Sequence, residues 1–266
     1  MISITSLDNR IIKMAAGLSE KKYRDREGAY ILEGPNMIRE ALEMHGKARF
    51  IFIRAESSSD EARNIAEKAD ALGLAVYELS ESAFNKIAQT ETPQGILAVF
   101  EKPKISREEF FEKCGERNLL VIDRVQDPGN TGTLLRTAEA AGFGGAIFIK
   151  GSGDPFSAKA VRAASGSTER FPIIFTESAG DTLALLKNHK KKIFATAMNA
   201  DKIYYDADIA RNCAIVVGNE GNGASDEILS GADEILSIPM DGKTESLNAA
   251  VASAIIMFES RRQRND

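Results

Sequence analysis

Five polar residues in the C-terminal half of the chain have types and positions that could form a ligand-binding pocket. Each of the three glycine-bearing segments that contain them follows an apolar, β-branched run that predicts a buried strand. The first and third segments also open amphipathic helices, and strand ends that converge on helix N-termini are where α/β sheets bind ligands. We therefore expect one pocket to be formed by Asn130, Arg136, Glu220, Ser246 and Asn248.

The first and third segments also have an ordinary structural explanation. Asn130 is a natural N-cap for the helix that carries Arg136. Ser246 fits the same role for the terminal helix, and Asn248 would then be a polar surface residue. Asn is nevertheless a poor choice in a first helical turn unless its amide has a partner. Taken alone, these two segments leave structure and function open.

The second segment, 217–223, carries its glycines in the order Gly-x-x-Gly-x-Gly. This spacing differs from the dinucleotide-binding fingerprint Gly-x-Gly-x-x-Gly and fits a strand-to-helix turn that needs positive φ. Glu220 stands between glycines after a buried strand, where a carboxylate seldom has a packing role, and it would suit a cationic or hydroxyl-bearing ligand. A dinucleotide-dependent oxidoreductase on an ordinary doubly wound sheet remains an alternative, which failure to bind NAD would remove.

Composition limits the class of protein. With 266 residues, 43% apolar and 27% charged, the chain is expected to fold as a globular protein without a membrane segment. The net charge of -5 means that any contact with nucleic acid must rest on a local basic patch. Two histidines and two cysteines make a metal site or a histidine-based triad unexpected. No secretory signal pattern opens the chain, so we expect a cytoplasmic protein.

The pattern of alternating strands and helices predicts two domains. Residues 1–101 predict a small α/β domain, and the charge-dense residues 102–118 predict a linker with a short surface helix. Residues 119–266 predict a mostly parallel sheet with helices on both faces. The basic tail 261–264 could contact phosphate, but a solvated helix end is the favoured interpretation.

Together the three segments resemble the three signature motifs of the SpoU/TrmH-type RNA ribose 2′-O-methyltransferases, within the SPOUT superfamily. The resemblance covers about 119–262 and includes the stretch 159–167, which is similar to the family's sequence between motifs one and two. The stretches 21–28 and 30–34 look like the substrate RNA-binding domain of many members, which is related to a ribosomal-protein (L30e-like) fold.

The resemblance implies a C-terminal parallel sheet whose chain is threaded into a deep trefoil knot, which general topology rules would not suggest. The knot would hold S-adenosylmethionine in a bent conformation, and the domain would form a homodimer. Residues implied to contact the cofactor, largely through backbone atoms, are Thr196, Ala197, Gly218, Ile238, Met240 and Leu247.

The resemblance assigns activation of the ribose 2′-hydroxyl to Arg136, although a guanidinium normally stays protonated. Either a tuned environment lets Arg136 take the proton, or Arg136 anchors the phosphate and orients the hydroxyl while water removes the proton. Asn130 and Asn248 would orient Arg136 and the ribose, and Glu220 would hold the network by charge pairing. Ser246 would bind a phosphate or cap the helix.

The RNA substrate is expected to contact a basic cluster in residues 10–26, in particular Lys22 and Arg24. A solvated charged helix is the competing interpretation of that cluster. The additional N-terminal domain favours ribosomal RNA over transfer RNA. A non-catalytic RNA-binding protein on the same fold is the main alternative, and intact Arg136, Glu220 and Asn248 speak against it.

Overall fold

The computed structural model describes residues 1–44, 46–56, 58–198, 200–241 and 246–265. The strands are β1 (Ile2–Ile4), β2 (Ala29–Glu33), β3 (Ala48–Arg54), β4 (Ala75–Leu79), β5 (Ile96–Glu101), β6 (Leu119–Ile122), β7 (Gly145–Ile149), β8 (Ile173–Thr176), β9 (Lys192–Thr196), β10 (Lys202–Ile203), β11 (Cys213–Val217) and β12 (Glu234–Ser237). The helices are α1 (Arg10–Gly17), α2 (Lys21–Glu27), α3 (Pro35–Glu43), α4 (Asp60–Ala71), α5 (Glu81–Ile87), α6 (Arg107–Cys114), α7 (Pro128–Ala140), α8 (Ala158–Ala164), α9 (Ser167–Arg170), α10 (Ala179–Asn188), α11 (Asp226–Gly231) and α12 (Ala249–Asn265).

The chain forms two compact units, and the first comprises residues 1–103 together with 156–169. Its five-stranded sheet has the order β1-β4-β3-β5-β2, in which β5 runs antiparallel to both β2 and β3. One face of this sheet packs against α3 and α4 and also buries Phe156 and Val161. The other face packs against α1 and α5. The segment 156–169 therefore contributes to the core of the first unit, although it lies far along the chain.

The second unit comprises residues 104–155 and the chain from 170 onward. Its sheet has the order β10-β12-β9-β11-β6-β7-β8, and every neighbouring pair is parallel. Strands β6, β7 and β11 are buried along their whole length, because helices cover both faces of a parallel sheet. The prediction of an α/β fold with a parallel sheet is confirmed.

One expectation about the segment between the two sheets is wrong. The helix expected at the surface within 102–118 is α6, and it buries Phe110, Phe111 and Cys114 in the core of the second unit. The expectation of a surface helix rested on the high charge density of residues 102–118, which does not show that these three side chains share one apolar face. None of the helices in the described parts of the chain is long and apolar enough to cross a bilayer.

Candidate active site

The carboxyl ends of neighbouring strands bring the polar segments of the second unit to one edge of its sheet. Strands β9, β11 and β6 are adjacent and parallel, so their last residues and the loops that follow lie side by side. Helix α7 begins just after β6, and the loop 218–225 follows β11. We call this side of the sheet the carboxyl edge and the opposite side the amino edge.

Glu220 is the centre of the hydrogen-bond network at the carboxyl edge. Its Oε2 accepts from the backbone N–H of Gln126 at 3.0 Å, and its Oε1 accepts from the backbone N–H of Asp127 at 3.0 Å. Oε1 also accepts from Nδ2 of Asn130 at 3.1 Å. Partial burial acts to raise the pKa of the Glu220 carboxyl, but these three donors and the backbone N–H of Glu220 itself outweigh it, so the pKa lies below its ordinary value. Glu220 is therefore an anion at neutral pH.

Asn130 and Asn248 extend this network to the terminal helix. Oδ1 of Asn248 accepts from the backbone N–H groups of Ala250 at 2.9 Å and Val251 at 3.3 Å, so it caps α12. Its Nδ2 is then directed away from the helix and donates to Oδ1 of Asn130 at 3.0 Å. Asn130 in turn donates to Glu220. Because each amide has one donor end and one acceptor end, the chain of bonds has a single direction.

The structure assigns the N-caps of α7 and α12 to residues other than Asn130 and Ser246. Asp127, and not Asn130, caps α7, because its Oδ1 accepts from the backbone N–H of Asn130 at 2.8 Å. Pro128 occupies the first helical position, where its missing N–H costs nothing, and this moves the cap to the residue before it. Asn248 caps α12 in place of Ser246, which is exposed and precedes the helix. The Asn130 side chain is thus available for the network.

The loop 218–225 is held by contacts that the sequence did not reveal. A Cβ on Gly218 would lie 2.0 Å from the backbone N of Ala224, so only glycine permits the loop to fold back there. Oδ1 of Asn219 accepts from the backbone N–H groups of Gly221 and Asn222 at 3.0 and 3.1 Å. These contacts place Glu220 at the exposed end of a tight turn.

Asp123 also belongs to the carboxyl edge, although the sequence did not single it out. It follows β6 directly, is buried, and its Oδ2 accepts from the backbone N–H of Ser225 at 2.6 Å. The available signal was its position, because an aspartate immediately after a buried strand seldom lacks a partner. Asp123 therefore joins the end of β6 to the end of the loop that carries Glu220.

Arg136 lies on α7 outside this network. It is exposed and makes no hydrogen bond or ion pair with the residues that the structure describes. Six residues along a helix correspond to a rotation of about 240°, so Arg136 shares a face with Gly129 and Thr133 and not with Asn130. The structure thus links Asn130, Glu220 and Asn248 to one another, and it leaves Arg136 as a cation with a free guanidinium. Ser246 has no described bond to the network either.

The residues implied to contact the cofactor lie at the carboxyl ends of β9, β11 and β12, except Leu247, which precedes α12. Thr196 Oγ1 donates to the backbone carbonyl of Val216 at 3.1 Å, and the N–H of Ala197 donates to the carbonyl of Leu236 at 3.0 Å. Gly218, at the end of β11, is buried. Ile238 and Leu247 are half-buried, and Met240 is exposed. Across the described residues, no group of histidine, cysteine and acidic side chains could hold a metal ion.

Lys22 and Arg24, the two expected RNA contacts, have different environments in the first unit. Lys22 is exposed, pairs with Glu20 at 3.1 Å and lies over the ring of Tyr23. Arg24 is only 5% exposed, and its Nη1 donates to the carbonyls of Leu18 at 2.7 Å and Ser19 at 2.8 Å. Its guanidinium therefore stabilises the end of α1, a placement that disfavours direct contact with RNA.

Comparison with known proteins agrees with this geometry. Residues 117–258 match the SpoU rRNA Methylase family, and residues 9–98 match the MRM3-like substrate binding domain. The chain is 35% identical to the 23S rRNA (guanosine(2553)-2'-O)-methyltransferase RlmP of Bacillus subtilis (strain 168), over 98% of this chain and 100% of the relative.

Solved structures give the same result. The AdoMet-bound rRNA methyltransferase from Sinorhizobium meliloti superposes with a TM-score of 0.87 at 31% identity, covering 98% of this chain and 97% of that one. The SpoU methyltransferase AviRb from Streptomyces viridochromogenes, in complex with AdoMet, superposes with a TM-score of 0.85 at 25% identity, covering 97% and 99%. The prediction of an S-adenosylmethionine-dependent RNA ribose 2′-O-methyltransferase is confirmed, and the chain belongs to the SpoU rRNA methylase family.

Proposed function

We propose that this enzyme methylates a ribose 2′-hydroxyl of ribosomal RNA and acts in the cytoplasm. The observation that carries the site assignment is the one-directional chain from Asn248 through Asn130 to Glu220. The helix that carries Asn130 also carries Arg136, which makes no hydrogen bond or ion pair with a described residue. The choice of ribosomal RNA is supported by the substrate-binding domain that residues 9–98 match and by relatives named as 23S rRNA methyltransferases.

The reaction forms a bond between the ribose oxygen and a methyl carbon, breaks the bond from that carbon to sulfur, and releases the hydroxyl proton. Bound S-adenosylmethionine would supply a methyl group that its sulfonium makes electrophilic. The protein's tasks are therefore to align the hydroxyl and to help it lose its proton. Thr196, Ala197 and Gly218 would hold the cofactor through backbone atoms. Ile238, Met240 and Leu247 would cover its apolar parts, beside the same strand ends.

We assign Arg136 to the phosphate next to the reacting ribose. A guanidinium keeps its proton and matches two phosphate oxygens, so Arg136 would anchor the nucleotide and orient its hydroxyl while water takes the proton. Asn130 and Asn248 would fix the position of the ribose, because their bonds to each other make both amides rigid. Glu220 would hold Asn130 in place, and the exposed Ser246 would bind a second phosphate.

A homodimer through the second unit is part of the proposal. Helix α12 buries Ala250, Ser253 and Met257, whereas Val251 and Phe258 on another face are 50% and 47% exposed. Such exposed apolar side chains on one helix favour a protein partner, and a second copy is the simplest one. We further propose the trefoil knot in this unit. The order of the strands supports it, because β11 inserts between β6 and β9 after both have formed part of the sheet.

The first unit would bind the RNA outside the reacting nucleotide, with an L30e-like fold. Lys22, which is exposed, would contact phosphate, and Arg24 would act indirectly by holding α1 against α2. Several basic side chains of this cluster are already paired with nearby carboxylates, including Lys13 with Asp8. We therefore expect the first unit to contribute shape and a small number of phosphate contacts.

Substitution of Arg136 tests the assignment. Arg136→Ala should lower methyl transfer to deproteinised ribosomal RNA by about 10³-fold, because it removes a charged contact made at the reacting centre. Cofactor affinity, measured by calorimetry, should stay the same, since Arg136 has no described bond to the residues at the cofactor edge. Arg136→Lys should recover part of the rate, because the lysine ammonium still supplies a positive charge there.

The control for this experiment is Arg107→Ala, which removes an arginine of the same unit that is paired with Asp181. Normal turnover in Arg136→Ala would exclude the assignment. If the unsubstituted protein labels transfer RNA and not ribosomal RNA, the mechanism stands and the proposed substrate is wrong. If it binds both RNA and cofactor but labels neither RNA, a non-catalytic RNA-binding protein is the better description.

A further inference from the structure

Four arginines and one glutamate line a cavity at the amino edge of the seven-stranded sheet. The cavity has a volume of about 480 Å³, and its lining residues are Glu116, Arg117, Arg211, Arg261 and Arg264. These residues precede β6 and β11 or lie in the last turn and a half of α12, so they come together only in the folded unit. We call the four arginines the arginine cluster.

The described part of the chain supplies no ion-pair partner for the arginine cluster. None of the four arginines forms an ion pair with a carboxylate in the described ranges. Four arginines and one glutamate give the cavity a formal charge of +3, in a chain whose net charge is -5. An acidic protein that concentrates unpaired cations in one cavity has a local site for anions.

Helix capping explains two members of the cluster. The guanidinium of Arg264 donates to the carbonyls of Ala141 and, at 3.0 Å, Gly142, at the end of α7. Arg117 donates to the carbonyls of Lys113 and, at 3.2 Å, Cys114, at the end of α6. Cations at the C-termini of helices are stabilised by the unpaired carbonyl groups there. These two guanidinium groups are therefore fixed in position before any ligand arrives.

Capping does not explain the other two members. Arg211 makes no hydrogen bond through its side chain to any residue that the structure describes, and Arg261 has one long contact, at 3.4 Å, to the carbonyl of Ala140. Burial lowers the pKa of the Arg264 guanidinium, and the nearby charges of Arg261 and Arg211 lower it further. The three like charges therefore repel one another, which an anion in the cavity would relieve.

We propose that the arginine cluster binds backbone phosphates of the RNA substrate, at a distance from the reacting ribose. The planar fork of a guanidinium matches two phosphate oxygens, and several forks around one cavity can bind consecutive phosphates. This inference rests on the proposed ribosomal RNA substrate, because it needs an RNA that extends beyond the methylated nucleotide.

The length of α7 gives the distance between the two sites, from the network at Asn130 to the arginine cluster near Ala141. Asn130 lies in its first turn and Ala141 follows its last residue, which corresponds to about 16 Å along the helix axis. A strand with phosphates about 3.4 Å apart along its axis spans that distance with roughly five phosphates. An RNA of a few nucleotides could reach both sites, and a structured ribosomal RNA can reach both by several paths.

The test removes the two arginines that have no capping role. We would compare Arg211→Gln/Arg261→Gln with the unsubstituted protein in filter binding to deproteinised 23S ribosomal RNA, from about 50 to 200 mM KCl. The slope of log affinity against log salt should fall by about 1.4, which is roughly 0.7 for each lost phosphate contact. Methyl transfer should show a KM raised roughly tenfold and an unchanged kcat, because the catalytic edge is not altered.

Arg262→Gln is the matched control, because Arg262 lies on the same helix and pairs with Glu259 at 2.8 Å. Its salt slope should equal that of the unsubstituted protein. An unchanged slope and KM in the double variant would overturn the proposal. Calorimetry with inorganic pyrophosphate supplies a second arm: binding that the double variant loses, without any change in RNA binding, would also overturn it by assigning the cavity to small anions.

The outcomes also separate this inference from the proposed function. If the unsubstituted protein transfers no methyl group to ribosomal RNA, the proposed function fails. The arginine cluster is then still supported if the double variant alone loses salt-dependent RNA affinity. If methyl transfer proceeds and both variants behave alike, the proposed function stands and the arginine cluster has no part in RNA binding.

Discussion

The two edges of the seven-stranded sheet differ in which backbone groups their side chains satisfy. At the carboxyl edge, helix N-termini and turns present unpaired N–H groups, and the carboxylates of Asp123, Asp127 and Glu220 accept from them. At the amino edge, the C-terminal ends of helices and the turns that follow them present unpaired carbonyl groups, and cationic side chains donate to these carbonyls. Lys191, for example, is buried and bonds the carbonyls of Gly115 at 2.6 Å and Arg117 at 3.0 Å.

The difference lies in what remains after these backbone groups are satisfied. At the carboxyl edge the carboxylates of Asp123, Asp127 and Glu220 are bonded to backbone N–H groups, whereas Arg136, on α7, has no bond to a described residue. At the amino edge only some of the cations are used, and Arg211 and Arg261 remain. The polarity of parallel βα units thus sorts charge by sign, and the surplus at each edge is what can bind an anionic ligand.

The largest expected effect is at the carboxyl edge, in Gly218→Ala. The new Cβ would meet backbone atoms of Gly223 and Ala224 at 2.0 Å, and backbone cannot move aside as a flexible side chain can. We expect the free energy of unfolding to fall by at least about 3 kcal/mol, as measured with urea, together with loss of cofactor binding.

Gly221→Ala is the control in the same loop, since its nearest neighbour would be the Asn219 Oδ1 at an ordinary 3.7 Å. It should change stability by less than about 1 kcal/mol. Equal behaviour of the two variants would mean that the loop 218–225 is not held by the contacts described here. The rigidity that distinguishes the carboxyl edge would then have no basis.

A smaller effect is expected at the amino edge, in Lys191→Met. Methionine keeps the apolar stem but leaves two buried carbonyls without their charged donor, which should cost about 2 kcal/mol in the free energy of unfolding. Cofactor affinity should not change, because Lys191 precedes β9 and the implied cofactor contacts follow it. Lys187→Met, at an exposed position on α10, should be close to neutral. A loss of cofactor affinity in Lys191→Met would show that the two edges are not independent.

Much of this sheet could be predicted from the sequence, because its inner strands are buried on both faces and read as uninterrupted apolar runs. The apolar runs at 119–122 and 213–217 coincide with β6 and β11. Strands β1 and β10 show no such run, since three and two residues are too short to form a pattern. Pairing with a neighbouring strand is what makes them strands.

The site was predictable in its members but not in its connections. Asn130, Glu220 and Asn248 could be chosen by residue type, but the direction of their bonds follows from Asp127 and Asn248 capping the two helices. The burial of Arg24 depends on where the carbonyls at the end of α1 lie. The arginine cluster could be predicted only in part. The basic tail 261–264 was visible as a possible phosphate contact, but only the fold brings Arg117 and Arg211 beside it.

The smallest expected effect concerns the two cysteines near the amino edge, and it tests whether solvent reaches their thiols. Burial raises the pKa of the Cys114 thiol to about 11 and that of Cys213 to about 12, although nearby cations act to lower both. The thiolate is the reactive form, so neither cysteine of the folded protein should react with iodoacetamide at about pH 8, whereas both should react in urea.

The same shifts predict how stability depends on pH. Below the ordinary thiol pKa of about 9.0, both states keep the proton and the contribution is fully present. As pH rises from there toward the folded values of about 11 and 12, only the unfolded chain loses protons, so stability falls. Cys114→Ala/Cys213→Ala should therefore lose stability less steeply over that range than the unsubstituted protein. Rapid labelling of the folded protein would show that water reaches these two thiols, and the burial that raises their pKa values would then be contradicted.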